Sequence, residues 1–342
     1  MATATTRGGG YADLSRQVKQ AGLLDRRNHA DLAWMGLYAT LMAAGWVAVF
    51  VIGSSWYQLL IAAALAVISV QLAFVGHDVG HRQSKRTKSA NDIVGVVTVN
   101  LLLGMSYSWW VDKHNRHHAR PNQIGHDPDI GTGIFAWTSG QARTSRGGRR
   151  TIARHQALLF FPMLLLEALH LHIASIRFLS LRSRGHRTTE SLLLGLHAAA
   201  YLGVLFWVLS PLQAVLFIVV HQGLLGLLLG SAFAPNHKGM PILAEEDESD
   251  FLRRQVLTAR NVRGGMVIDF ALGGLNYQIE HHLFPTMPRR NLRRSQPLVR
   301  AFCELHDLTY EERSLLGSYV DVLRYLRAVG APIRPATLAP AP

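Results

Sequence analysis

The chain has 342 residues, of which 49% are hydrophobic and 17% charged, with a formal net charge of +13 and one cysteine. A single cysteine excludes an intramolecular disulfide framework, and the uneven placing of the charges argues against a pair of ordinary soluble domains. The basic residues gather in loops beside apolar stretches (Arg82, Lys85, Arg86, Lys88; Arg143, Arg146, Arg149, Arg150, Arg154; Arg289, Arg290, Arg293, Arg294), which is the pattern of loops facing an anionic leaflet and excludes nucleic acid as the partner.

In chain order, residues 1–28 are polar and weakly patterned and read as a loose cytosolic start. From Leu32 to His77 there is no Asp, Glu, Lys or Arg, and from Ser191 to His237 there is again none. Each run is about twice the roughly 20 residues that cross a bilayer once. Each also has a turn signal near its middle, Gly53-Ser54-Ser55 in the first and Ser210-Pro211 in the second. Two transmembrane hairpins follow, over about 32–76 and 191–234. The first run is too long and starts too far in for a secretory leader. Ile93–Trp110 is also uncharged, but a crossing there would put the histidines before and after it on opposite faces of the membrane, so it is predicted to dip in or lie along the interface. Residues 127–150 read as a cytoplasmic loop. The apolar stretch 157–176 holds Glu167, His170 and His172 and belongs at the interface, because an ionised Glu is costly in lipid. Residues 309–330 open with a capping-box pattern, Thr309 to Glu312, and end at Gly330, so a helix is predicted there, with Leu316, Tyr319, Val320, Leu323 and Leu326 on one face. The Pro/Ala-rich end, 331–342, is predicted disordered. The fold class is all-α integral membrane: four spans plus interfacial helices under a histidine-rich cytosolic cap, with a membrane domain over 29–300 and a cytosolic C-terminal helix over 301–330.

Three short motifs carry the chemistry. "HDVGH" (77–81) sets His77 and His81 four apart. "HNRHH" (114–118) sets His114 three and four before His117 and His118. "QIEHH" (278–282) repeats that spacing with Gln278 in first place, before His281 and His282. His237 stands where the second hairpin ends. On a helix, residues three or four apart share a face. One such pair arises readily by chance; two HH pairs, each with a ligand-type residue three before, do not. Eight histidines exceed one zinc site and supply two metals with about four imidazoles each. Imidazole suits iron, copper, nickel and zinc, and a single cysteine excludes an iron–sulfur cluster. Two irons in such a site can activate O₂ for attack on an unactivated C–H bond.

These motifs resemble the three histidine boxes of the membrane-bound fatty-acid desaturases. The likeness continues through "HHARPNQIGHDPDI", "FAPNHKGMP" and "GGLNYQIEHHLFPTMPR" and covers roughly residues 32–300. It implies a four-helix membrane core under a cytosolic cap, with two iron ions between them. The ligands it implies are His77 and His81 (box one), His114, His117 and His118 (box two), His281 and His282 (box three), and His237. Box three begins with Gln278 where many relatives have His. The "QxxHH" form resembles front-end desaturases and a bacterial acyl-desaturase group, which points to a bacterial plasma membrane; the basic loops and uncharged hairpin turns place the site and both termini on its cytoplasmic side. Gln278 offers a carbonyl oxygen, a weaker ligand. No "HPGG" haem motif occurs, so electrons are expected from a separate donor, a ferredoxin or a cytochrome b5-like protein with its reductase. The substrate is an acyl lipid or acyl thioester, O₂ the co-substrate, and an acyl double bond and water the products.

Other residues have competing roles. Asp78 and Glu280 either ligate, point away, or hold a ligand imidazole through its second nitrogen. Asn236 either bonds a metal-bound water or caps a helix. His126 is a ninth candidate ligand or a loop hydrogen-bonder, and His172 a candidate for the surrounding shell. His197 and His221 lie mid-hairpin and read as bonds between helices. Gly223, Gly226 and Gly230 read as close helix contacts, and Trp109 and Trp110 as an interfacial aromatic belt. Two rival functions remain. A lipid or carotenoid hydroxylase or ketolase would use the same centre. A non-oxidative metal protein, such as a transporter, would place its ligands near the midplane.

Overall fold

A computed structural model describes residues 9–25, 28–181 and 187–333. It is almost wholly helical. Four helices are long and apolar enough to cross a membrane. They form two hairpins: α2 (Asn28–Ile52) with α3 (Gln58–Gly80), and α9 (Arg187–Val208) with α10 (Pro211–His237). α1 (Gly9–Gln20) precedes the first hairpin, and between the two lie α4 (Lys88–Gly95), α5 (Tyr107–Ala119), α6 (Ser139–Thr144), α7 (Gly147–Leu164) and α8 (Glu167–Leu181). Beyond the second hairpin come α11 (Phe251–Leu257), α12 (Met266–Ala271), α13 (Gln278–Leu283), α14 (Arg289–Leu305) and α15 (Leu315–Gly330). The one sheet among the described residues pairs β1 (Asn261–Val262) in parallel with β2 (Glu312–Arg313).

Both predicted hairpin turns are present. Gly53 takes a φ of 60°, open to a residue without Cβ. Ser210 caps α10 through a capping box with Gln213. The two turns meet, with Ser54 Oγ donating to Gln213 Oε1 at 2.6 Å, so both hairpins point the same way. α3 and α10 pack along each other, and both overrun the apolar stretch at the far end. That overrun carries His77 and His237 out on the last helical turn.

Gly226 of α10 lies where a Cβ would come within 2.6 Å of the Leu164 carbonyl and 2.7 Å of the Ala168 amide. It therefore seats α10 against the break between α7 and α8, which are bent by 86°. Gly230 does the same against the Leu164 side chain, whereas Gly223 makes only ordinary contact.

The segment after α4 does not run straight. A π-helical turn, Val96–Leu102, follows, and the chain then bends by 114° into α5. Backbone at such a bend must find its partners in the protein. It does: His172 Nδ1 lies 2.8 Å from the Gly104 carbonyl and His197 Nδ1 lies 2.8 Å from the Leu101 carbonyl. The Ser106 amide donates to Ser175 Oγ at 2.9 Å. The Glu190 carboxylate accepts from Asn100 Nδ2 (2.9 Å), Ser106 Oγ (2.7 Å) and the Ser108 hydroxyl.

Four expectations change. Residues 9–20 are a helix rather than a loose start: Leu14 and Val18 are fully buried against α11 and α14, contacts that a short polar sequence does not announce. The capping box at Thr309–Glu312 does not form. Glu312 is in β2, with its carboxylate held by Arg300 and Gln296, and the helix starts at Ser314, whose Oγ accepts from the Gly317 amide. Long-range pairing overrides the local signal there, and Leu316 is left exposed while Val322, Leu326 and Val329 are buried. Trp110 is not in an aromatic belt but packs on His77 and His114. Of the predicted disordered tail, residues 331–333 instead form a 3-10 turn with Ile333 buried beside Ala153 and Val329, and residues 334–342 lie outside the described residues.

Candidate metal centre

Four elements bring the histidines together: the end of α3, the body of α5, the end of α10 and the short α13. His77, His81, His114 and His281 form one group whose ligand atoms all lie within 4.8 Å of one another, and His117, His237 and His282 form a second. His118 lies between them, its Nε2 3.1 Å from His114 Nε2 and its ring stacked 4.2 Å from that of His282. Trp110 stacks on His114 at 4.5 Å and meets His77 edge-on at 5.5 Å. A Cβ on Gly80 would fall 2.3 Å from that indole, so the glycine of "HDVGH" is what lets Trp110 close the wall.

The second nitrogens fix which atoms face inward. His237 Nδ1 donates to the Thr258 carbonyl at 2.9 Å. His282 Nδ1 donates to Gln255 Oε1 at 2.8 Å, and that amide is itself oriented by its Nε2, which donates to the His118 carbonyl at 2.9 Å. His117 Nδ1 lies 3.0 Å from Asp127 Oδ2. With their protons on Nδ1, all three rings turn unprotonated Nε2 atoms toward one another, that of His237 also facing the Gln278 amide nitrogen at 2.9 Å. His237 Nε2 and His282 Nε2 are 3.0 Å apart, and His117 Nε2 is 3.4 Å from His237 Nε2. Lone pairs at that distance repel unless a cation draws them in. In the other group His81 Nε2 and His114 Nε2 are 2.9 Å apart, while His77 Nε2 and both nitrogens of His281 are buried without a hydrogen-bond partner. Burial, then the nearby imidazoles, hold His81, His114, His118, His281 and His282 well below the usual histidine range. These rings are neutral near pH 7, the form a metal takes up. The donor set fits two transition-metal ions held by imidazole.

The remaining candidates separate. Asp78 stands 3.4 Å from His77 Nδ1 and takes Arg289 Nε on its other oxygen at 2.8 Å. Gln278 turns its oxygen away, to accept from Asn236 Nδ2 at 3.2 Å, and sets its amide nitrogen 2.9 Å from His237 Nε2. Asn236 Nδ2 is fixed in that sense by the Leu275 carbonyl at 3.1 Å. Gln278 thus faces the cluster with a donor and not with its carbonyl. Glu280 is fully buried but points away, accepting from Asn261 Nδ2 (2.7 Å) and the Tyr310 hydroxyl (2.6 Å). Burial raises its carboxyl above the usual range. His126 is exposed on its loop, and its neighbour Asp127 is the residue that reaches the cluster. His172 bonds Gly104 and Gln222 rather than the centre. His221 bonds Ser69 and Tyr201 between helices. Sequence reading missed Asp127, Gln255, Thr258 and Glu190. Asp127 alone carried a signal, standing in "GHDPD" nine to ten residues past box two; the others lie far from any histidine motif along the chain.

A buried polyhistidine centre, seated where two apolar hairpins end, defines a helical membrane protein able to hold a pair of metal ions. Residues 54–314 match the fatty acid desaturase family, and the chain belongs to that family. It is 34% identical over 277 residues to an acyl-lipid (9-3)-desaturase of Physcomitrium patens, which covers 78% of this chain and 52% of that protein. It is 29% identical over 350 residues to the delta(8)-fatty-acid desaturase 2 of Arabidopsis thaliana (96% and 76%), and 30% identical over 310 residues to fatty acid desaturase 3 of Bos taurus (86% and 67%). The chain thus spans about half the length of the moss protein and more of the others.

Proposed function

We propose that this chain is an O₂-dependent fatty-acyl desaturase whose eight histidines, His77, His81, His114, His117, His118, His237, His281 and His282, hold two iron ions. The observation that carries the reading is the burial of imidazoles from all three motifs and from His237 in two adjoining groups. Bound there, the iron pair would supply reduction of O₂ to water coupled to removal of two hydrogens from neighbouring acyl methylenes. The chain's own share is to orient and to exclude. Asp127, Thr258 and Gln255 hold the proton on Nδ1 of His117, His237 and His282, which keeps each Nε2 free for metal. Trp110 and the ends of α3 and α10 keep bulk water from the cluster. Gln278, held by Asn236, turns its amide N–H and not its carbonyl toward His237.

The acyl substrate reaches the centre from the membrane, electrons come from a separate donor protein, and the site faces the cytoplasm. The relatives' names carry different positions, so the carbon attacked is left to measurement. The test is expression in a host of defined acyl pool, with double bonds mapped by mass spectrometry and iron counted in the purified protein. Loss of two hydrogens from an acyl chain and close to two irons per chain are expected. Gain of oxygen would assign a hydroxylase, and one metal in fully active protein would overturn the paired centre.

A further inference from the structure

Residues 263–275 lie beyond the second hairpin, in a part of the chain whose mixed composition reads as cytoplasmic. Within them "GGMVIDFALGG" is a short apolar run with two glycines on each side, and it forms α12. One face of α12 is in the protein: Ile268 and Leu272 join the cluster of Val70 and Phe74 on α3 with Leu225 and Leu229 on α10. The other face is bare. Met266 is 87% exposed, Val267 77% and Phe270 50%.

The height of α12 is fixed by α3. Gln71 Nε2 donates to the Phe270 carbonyl at 3.1 Å. Gln71 lies six residues before His77 on a spanning helix, about 9 Å back along its axis toward the middle of the span. Gly273, at a φ of 60°, lies directly on the Phe74 ring: a Cβ there would come within 2.3 Å of it. α12 is therefore pressed against the stretch of α3 from Gln71 to Phe74, before His77. Arginines stand above it. Arg289 lies 5.8 Å from the centre of the Phe74 ring, and Arg293 is 3.7 Å from Asp269 of α12 itself. Apolar side chains below and arginines above match the cross-section of a leaflet, acyl chains under anionic headgroups.

We infer that α12 is a membrane-inserted helix, whose Met266, Val267 and Phe270 face lies among the acyl chains of the leaflet on the metal-centre side. Only Leu275–Tyr277 separate the Gly273–Gly274 pair from α13, so this lipid contact stands one short loop from His281 and His282. The inference rests on the hairpins spanning a bilayer and not on the reaction catalysed.

The test uses the full chain in nanodiscs of phosphatidylcholine and phosphatidylglycerol, with buried Cys303 retained. Single cysteines at Val267 and, independently, Met266 carry a bimane fluorophore. Leu196→Cys on α9 is the lipid-facing reference and Leu305→Cys at the end of α14 the aqueous one. Phosphatidylcholine bearing a nitroxide high on its acyl chain should quench positions 266 and 267 as strongly as 196, and iodide should leave them unchanged while quenching 305. Iodide quenching at 266 and 267 equal to that at 305 would overturn the inference. So would shielding from both quenchers together with cross-linking between the two copies' position 267, which would put a second chain on this face. A shift of 196 toward iodide would instead indict the hairpins, and the inference with them.

Discussion

Asp127→Asn is the sharpest probe of how the centre is held. Asp127 is buried and all four of its near contacts are N–H donors or donor-bearing rings: Oδ1 takes the Asp129 amide at 2.8 Å, Oδ2 takes the Asn122 amide at 2.7 Å, and both oxygens face His117 Nδ1 at 3.1 and 3.0 Å. Asparagine is the same size but must point an NH₂ at one of these donors whichever way it turns. The variant leaves one buried donor unpaired, costing about 1–3 kcal/mol. It also removes the charge that keeps His117 in the tautomer with Nε2 free. Losing such a partner costs roughly 10–100-fold in metal affinity. The metal held by His117, His237 and His282 should be lost first. Chelator titration followed by metal counting should give a biphasic loss, with one ion released at about 10–100-fold lower chelator than in the parent. Glu280→Gln, inside box three itself, should keep both ions, because Glu280 faces Asn261 and Tyr310. Equal retention in Asp127→Asn and parent would refute the role of the carboxylate, and metal loss in Glu280→Gln would refute the assignment of which face of α13 looks inward.

Acid should destabilise the metal-free protein. His81, His114, His118, His281 and His282 are held neutral in the fold well below the usual value, so the unfolded chain takes up protons first as pH falls below about 6.5. Stability is full above that pH and falls on acidification toward the folded-state values, by about 1.4 kcal/mol per pH unit for each proton taken up only on unfolding. Melting of chelated protein between pH 8 and 5 should show the fall, and a flat profile would contradict the burial of these rings. Glu190→Ala should lower the melting temperature in detergent more than His221→Ala, since it leaves Asn100, Ser106 and Ser108 without their acceptor, each at a cost of about 1–3 kcal/mol; equal melting would mean that the bend at 100–108 is held by other contacts. Cysteines at Ser89 and Thr132, on either side of that bend, should both react from the cytoplasmic side alone; labelling of one from each side would show a crossing.

Most of the membrane architecture was legible because its signals are local. An uncharged run twice the bilayer's needs, broken by Gly53 or by Ser210-Pro211, is a hairpin wherever it occurs. The histidine spacings are equally local, and the seven histidines they single out do meet, with His237 from the end of the second hairpin as the eighth. What stayed hidden depends on parts of the chain that come together only on folding. Thr258 serves through its backbone carbonyl, which no side chain advertises. Gln255 and Glu190 are ordinary residues of polar composition until α11 and α9 bring them beside His282 and the bend. Box three shows the same limit. Its spacing ranks Gln278 with the histidines, whereas the direction of its amide is set by Asn236 from another helix. Trp109 and Trp110 look alike in the sequence, and only the missing side chain of Gly80 places Trp110 against the cluster.

The division of the histidines explains why the fold uses two hairpins. The group of His77, His81, His114 and His281 draws on α3, α5 and α13; the group of His117, His237 and His282 draws on α10, α5 and α13. Each hairpin thus delivers the end of its returning helix to one group, and α5 and α13 serve both. On α5 the spacing of His114, His117 and His118 turns one residue toward each group with His118 between them, and on α13 adjacent residues, about 100° apart on a helix, do the same for His281 and His282. The distance between the groups is then governed by how α3 and α10 pack, far inside the membrane, and by the bend that aims α5. Gly226 against the α7–α8 break and Glu190 against the bend touch no histidine, yet both act on that packing.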